Sequence, residues 1–422
     1  MKKILIILTQ PLIFGCCNKE DHYNQKPEVQ TRNYVDELID ELNRFLEAFY
    51  PENKSSDYGI KNVFTLTSEG QTKSYDVSDT VMHIMNFNDG YAVFGHRMPT
   101  MEILAFVEQG ELDMTVFENP DFDKYLSRRS VKEEDDTDDE EEAVNGMTEK
   151  DFQTFLSEMI LSGSLRMKEE YEYDKEELSD FSSKAETFVF SVEVFPMIFT
   201  KWHQTSPFND YINSRYPNLI VAGCGPIALG QFIVYHNHPQ WYYGVETEQL
   251  KKVHSWTNGK FHAGTSYGLQ NVSIFLYGLG EYQGAIWGNP TPTKSKQTAQ
   301  VMKDFGYKNV YLLPLNMVVV KEILYATNPV LVRADKGASS MGHIWLGDGL
   351  GYRKSSKPGS ERIELVHCNF GWGGRSDGWY QTNMFGINDR YYITSYMGDS
   401  QDKIDDSFRY YYNIKYIQYA PR

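Results

Sequence analysis

The sequence predicts an α+β protein in two parts. A larger C-terminal domain sets a cysteine-bearing helix against an antiparallel sheet, and a smaller α+β domain precedes it. Three observations lead there. Short strand-like runs alternate with segments of helical spacing along the chain. Net charge changes sign near residue 185. One glycine-flanked cysteine, Cys224, heads an apolar helix, and strand-like segments carrying a histidine and an asparagine follow it.

The 422 residues are 41% hydrophobic and 14% aromatic, enough to bury a core and to exclude wholesale disorder. The formal net charge of −17 repels phosphate, so nucleic-acid binding is not expected. No apolar run reaches 18 residues, so no integral membrane domain is expected. Of four cysteines, Cys16 and Cys17 lie in an apparent leader, which leaves Cys224 and Cys368 for the folded body.

The leader reads as an address. Lys2 and Lys3 precede an apolar stretch from Ile4 to Phe14, too short to span a bilayer but long enough for a signal peptide. Its end, Ile13-Phe14-Gly15-Cys16, resembles a bacterial lipobox, with Cys16 the acylated residue and 1–15 removed. Asn18-Lys19-Glu20-Asp21 resembles the signal that sends Bacteroidetes-type lipoproteins to the cell surface. The expectation is an exported protein held on the outer membrane of a Gram-negative cell by lipid alone, with residues 16–32 as anchor and tether.

Residues 186–422 hold 22 basic and 18 acidic side chains, and residues 1–185 hold 19 and 40. The two parts are electrostatically complementary. Nine carboxylates in the ten residues Glu133 to Glu142 read as a solvated loop. Within the N-terminal part, Leu38, Leu42, Phe45, Leu46 and Phe49 repeat at helical spacing. Tyr91 to Phe94 and Ile103 to Val107 read as strands joined by a polar turn at His96 to Thr100. Phe152, Phe155, Leu156, Met159 and Ile160 mark a second helix, with Thr148 to Lys150 leading into it. The charged stretch Glu169 to Lys184 reads as a linker open to proteolysis.

The C-terminal part carries the chemistry. Pro226 suits the first turn of a helix running to Tyr235, which puts Cys224 at its N-terminus. There the helix dipole favours a thiolate; a buried structural thiol is the alternative. His343 follows Gly342 at the start of the strand-like Ile344-Trp345-Leu346 and could act as general acid/base or be an ordinary strand histidine. Asn369 could fix the imidazole tautomer through its side-chain carbonyl. Gln204 could donate an amide hydrogen to a developing oxyanion. The order Gln, Cys, His, Asn matches that of papain.

Four segments then resemble the streptopain family, the papain-like C10 cysteine peptidases. They are Trp202 to Asn209, Ala222 to Gln231 with its continuation to Pro239, Ser340 to Gly349, and His367-Cys-Asn-Phe-Gly-Trp-Gly-Gly-Arg-Ser-Asp-Gly378. The resemblance covers about residues 188–395, and Gly90 to His96 resembles the family's propeptide. It implies a papain-like domain over 188–422, a prodomain over 33–165 containing the acidic loop, and a processing zone at 166–187. It also implies Cys224 as nucleophile, His343 as general acid/base, Gln204 in the oxyanion hole and Asn369 beside the histidine. Gly342, Phe370 and Trp372 would line the cleft. Protein or peptide substrates, an inhibitory propeptide, and neither cofactor nor metal are implied. Phe370 stands where the family has Trp, and Gly225-Pro226 where it often has small aliphatic residues.

Two rival functions share these residues: an inactive surface lipoprotein that binds peptide or glycan, and an acyl-transfer or amidase enzyme. The pair His236 and His238 reads as the end of the helix rather than a metal site. Cys368 reads as a buried thiol, and the Tyr-rich tail as a closing strand.

Overall fold

The computed structural model describes residues 34–52, 58–67, 80–97, 100–118, 145–177, 188–216, 220–257, 260–335, 341–356, 360, 362–385 and 414–420. The leader with Cys16, the acidic loop at 133–142 and Tyr410 to Tyr412 lie outside them. Among the described residues, no helix is long and apolar enough to cross a membrane.

The N-terminal half contributes helix α1 (Tyr34–Phe49), strands β1 (Asn62–Thr67), β2 (Thr80–Asn86), β3 (Tyr91–Arg97) and β4 (Thr100–Val107), and a turn of helix α2 (Thr115–Glu118). A two-residue strand β5 (Asn145–Gly146) and the long helix α3 (Glu149–Glu177) follow. The repeat expected in α1 is its buried face: Leu38, Leu42, Phe45, Leu46 and Phe49. Helix α3 starts at a reciprocal cap. The Asp151 amide donates to Thr148 Oγ1, and the Thr148 amide donates to the Asp151 carboxylate. Its charged end stays helical to Glu177, so the expected 165/166 boundary falls within one helix.

The C-terminal half begins with β6 (Phe188–Val194) and α4 (Asp210–Arg215), then the cysteine helix α5 (Cys224–His236). Two small hairpins follow, β7 (Trp241–Tyr242) with β8 (Val245–Glu246), and β9 (Ser255–Thr257) with β10 (Lys260–His262). Next come α6 (Ser266–Tyr282), α7 (Ser295–Asp304), β11 (Lys308–Pro314), α8 (Met317–Tyr325), β12 (Val330–Asp335), β13 (Met341–Ser355), β14 (Arg362–Asn369), β15 (Gly378–Gln381) and β16 (Lys415–Ala420).

One sheet runs through both halves in the order β1-β2-β3-β4-β15-β14-β13-β12-β16-β11, with β5 and β6 also paired to β13. The halves meet where β15 pairs antiparallel with β4, Trp379 opposite Phe106. Gly378 permits that approach, because a Cβ there would sit 2.1 Å from the Phe106 carbonyl oxygen. Helix α1 closes over the same junction. Phe49 packs against Gly351 of β13 and lies edge-on to Trp379 at 4.6 Å. Helix α5 is apolar all round and buried from Cys224 to Val234, as a central core helix must be.

A buried ion cluster crosses the junction. Arg353 of β13 donates to Glu41 of α1 at 2.7 Å and to Glu102 of β4 at 2.8 Å, under the ring of Phe188. Arg375 and His203 both pair with Glu149 of α3. In each of these pairs the acid comes from the N-terminal half and the base from the C-terminal half. Removing Arg353 would take from buried Glu102 the cation it pairs with and leave buried Glu41 with Arg44. Arg353→Ala should therefore cost about 3–5 kcal/mol in urea-unfolding experiments. A loss below about 1 kcal/mol would mean that water already screens the cluster.

Candidate active site

The cysteine helix starts where the sequence sets it. Gly223 caps α5 at φ 86°, ψ 147°, a left-handed conformation that favours glycine. A Cβ there would also lie 2.7 Å from the Thr291 carbonyl oxygen. Gly225 follows for a separate reason: a Cβ would fall 2.0 Å from Thr293 Oγ1. The Gly225-Pro226 departure is thus matched by a threonine seated over the helix start. At the other end Asn237 takes the left-handed C-cap. The His236 ring then sits against Tyr419, and His238 bonds the Phe305 carbonyl.

His343 lies near the start of β13, next to Ile344, whose backbone amide hydrogen-bonds the Cys224 sulfur. Its Nε2 lies 2.9 Å from the Phe370 carbonyl oxygen. A carbonyl only accepts, so Nε2 carries the hydrogen and Nδ1 keeps its lone pair. Among the described residues Nδ1 has no hydrogen-bond partner, although it is buried. Trp372 lies nearly parallel to the imidazole at 5.5 Å and Trp345 at 6.2 Å, while Phe370 is tilted at 6.3 Å. Parallel stacking on the imidazole thus comes from Trp372 and Trp345 rather than from Phe370, the residue that stands where the family has Trp.

Gln204 is buried, and its Nε2 likewise has no partner among the described residues. Its backbone carbonyl accepts from the Ala222 amide at 2.8 Å, which ties this segment to the chain two residues before Cys224. Buried donors without partners are rare in folded proteins and call for an explanation.

Asn369 departs from expectation. Its Oδ1 accepts from Gln231 Nε2 at 3.1 Å and from the Gly371 amide at 3.2 Å, and its Nδ2 donates to the Thr200 carbonyl. That oxygen is already engaged, so the Phe370 carbonyl, not the Asn369 side chain, fixes the imidazole tautomer. Asn369 joins β14 to α5 and to the segment leading into Gln204.

Sequence reasoning missed two residues. Asp377 accepts from the Phe370 amide at 2.8 Å and from Lys201 Nζ at 2.8 Å, so it anchors the peptide that orients His343. It lies inside the distinctive 367–378 segment, but its role depends on a contact seven residues back. Phe152 of α3 sits 4.6 Å from the His343 ring and 4.8 Å from Phe370. Its helical spacing showed only that it was buried, not against what. Beside it, β5 pairs Asn145 and Gly146 with Met341 and Gly342. A Cβ on Gly146 would meet Pro290 at 3.2 Å, so the N-terminal half runs between the loop beside Gly223 and the histidine strand.

This enclosure sets the charge state. Burial pushes the Cys224 thiol up, outweighing the amides of Ile344 and Gly225 that favour the thiolate. Burial also pushes His343 down, to about 4. The thiolate expected at the helix N-terminus is therefore disfavoured in this enclosure, where burial favours the neutral thiol and the neutral imidazole. Glu149 is held below the usual carboxylate range, chiefly by its hydrogen bond with His203.

Acid should loosen this arrangement. An unfolded histidine takes a proton near pH 6.5, whereas buried His343 resists until about 4. Its contribution is thus present above pH 6.5 and lost as pH falls through that window. Stability should drop by up to about 3 kcal/mol from pH 7 to pH 4 on account of His343. Chemical denaturation across that range should show the slope, and His343→Gln should flatten it, leaving the smaller same-sign part from Glu149. An unchanged slope in the variant would assign the acid sensitivity elsewhere.

A search of the curated proteins returned no match. Among solved structures, a prointerpain A fragment from Prevotella intermedia aligns at 15% identity and TM-score 0.44, over 86% of this chain and 100% of that one. Active interpain A cysteine protease from the same organism aligns at 18% identity and TM-score 0.35, over 44% and 85%. Residues 202–380, which span Gln204, Cys224, His343 and Asn369, match the peptidase C10 family.

Proposed function

We propose that this chain is a cysteine endopeptidase made as a zymogen, with the N-terminal half as its inhibitor. One observation carries the reading. Beside the strand amide that bonds the Cys224 sulfur stands His343, whose Nδ1 has no partner among the described residues, and the segment tied to Ala222 carries Gln204, whose Nε2 has none there either. A binding scaffold has no use for that set, and a hydrolytic site needs both.

The chemistry follows from the atoms. Cys224 Sγ attacks the peptide carbonyl carbon as His343 Nδ1 takes the thiol proton. The carbonyl oxygen gains negative charge, and Gln204 Nε2 with the Cys224 amide hydrogen-bonds to it. Imidazolium Nδ1–H then protonates the leaving amine as the carbon–nitrogen bond breaks. Water attacks the thioester and gives a proton to Nδ1. The carbon–sulfur bond breaks, the acid leaves and the thiol is restored.

Latency rests on position. Phe152 covers the imidazole, and β5 takes the strand position beside Gly342, where an extended substrate would pair. Removing both admits water, which lowers the thiol and raises the imidazole towards an ion pair. Glu149, bonded to His203 and Arg375, holds the same helix in place. Cleavage within 166–187 would separate the halves. We also propose export and acylation at Cys16, which labelled palmitate would report and Cys16→Ala would abolish.

Casein hydrolysis by the processed protein should vanish in Cys224→Ala. It should fall roughly 100-fold in kcat in Gln204→Ala, the scale of losing one oxyanion donor. Wild-type turnover in Cys224→Ala would end the proposal. Conversion of the full chain, followed on gels with time, should be faster in Phe152→Ala and Glu149→Gln than in the parent. Equal rates in both would remove α3 from the inhibitory role.

A further inference from the structure

We infer that the β9–β10 hairpin and the strand segment beside it form a docking surface for an anionic lipid membrane. The surface is a row of aromatic side chains across three strands. Thr200 and Ser255 form an antiparallel bridge, so Phe199 stands opposite Trp256. Trp256 in turn stands opposite Phe261, with ring centroids 6.4 Å apart. Side chains alternate across a strand, which puts Phe199, Trp256 and Phe261 on one face and Thr200 and Ser255 on the other.

The facing is inverted from what solubility asks. Thr200 and Ser255, small and polar, are buried at 6% and 0%, while the three aromatic residues are 55%, 52% and 51% exposed. Thr200 is fixed inward by donating to Gln231 of α5. The aromatic face therefore cannot turn to the core without breaking the framework that carries Gln204. An adjacent aromatic row held in water by its own register marks a contact surface.

Charge selects the occupant. From Gln249 to Gly280 the sequence holds no acidic residue; Lys251 pairs with Glu248 at the edge of this stretch, and Lys252 and Lys260 add positive charge. This stretch carries net positive charge in a chain whose formal net charge is −17. Tryptophan and phenylalanine beside lysine is the composition that settles at a lipid headgroup boundary, rings among the acyl ends and ammonium groups on the phosphates. The surface needs neither Cys16 nor its lipid. It would hold the C-terminal half at a membrane after separation from residues 1–185.

The test reads the hairpin itself. The full chain with Cys16→Ser, Cys17→Ser and Thr257→Cys is labelled at position 257 with an environment-sensitive nitrobenzoxadiazole dye. It is then mixed with vesicles of phosphatidylcholine, or of phosphatidylcholine and phosphatidylglycerol in equal parts. With the anionic vesicles, emission should shift to the blue and rise roughly twofold or more, as expected for a dye entering the interface. Trp256→Ala/Phe261→Ala and, separately, Lys252→Glu/Lys260→Glu should each remove most of that rise. All four positions are exposed, so unchanged urea midpoints should accompany the loss. No rise with anionic vesicles, a rise that survives both double variants, or an equal response to heparin without vesicles would overturn the proposal. The last outcome would mark a site for soluble polyanions.

Discussion

The hydrogen bond from His343 Nε2 to the Phe370 carbonyl is the constraint on which the site depends. It fixes which nitrogen is protonated and so leaves the lone pair on Nδ1. It is itself held from behind, because Asp377 grips the Phe370 amide and Lys201 grips Asp377. A backbone carbonyl performs the orienting that a side-chain carbonyl performs in other triads. Asn369, one residue earlier, is thereby freed to knit β14 to α5. Reaction geometry and framework stability thus rest on neighbouring residues with different partners.

Much of this was legible in the sequence, and for a physical reason. Cys224 before Pro226 announces a helix start, and helix starts are local events. The apolar repeats of α1 and the first turns of α3 mark buried faces for the same reason. What escaped was contact across sequence distance. Nothing in the chain says that Phe152 meets His343, that Arg353 meets Glu41 and Glu102, or that the two halves share one sheet. The end of α3 was misread because charged residues poor in apolar anchors look like linker. Glu, Lys and Met are good helix formers, and a helix already nucleated continues through them. The thiol was misjudged in the same way: the helix start is visible in sequence, the exclusion of water is not.

The opposite charges of the halves take concrete form at their junction. Glu41, Glu102 and Glu149 come from one side, and Arg353, Arg375 and His203 from the other. The first two carboxylates are fully buried, which makes them specific about register but costly to strand. The third sits nearer the solvent, beside the residues that cover the imidazole. The junction is therefore tight at the sheet and looser beside the imidazole, a gradient that would suit the inhibitory role proposed for the N-terminal half.

The pairing of β15 with β4 carries a liability. β15 is four residues long, and its outer flank has a mate while the N-terminal strands remain in place. Were they to depart, as the proposed processing requires, a row of amide and carbonyl groups around Trp379 would be laid open, beside the bared aromatic ring itself. Such a margin recruits any extended backbone that drifts by, including another molecule of the same kind. Release of the N-terminal half under that proposal would thus trade latency for stickiness, and the brevity of the strand would keep the hazard small.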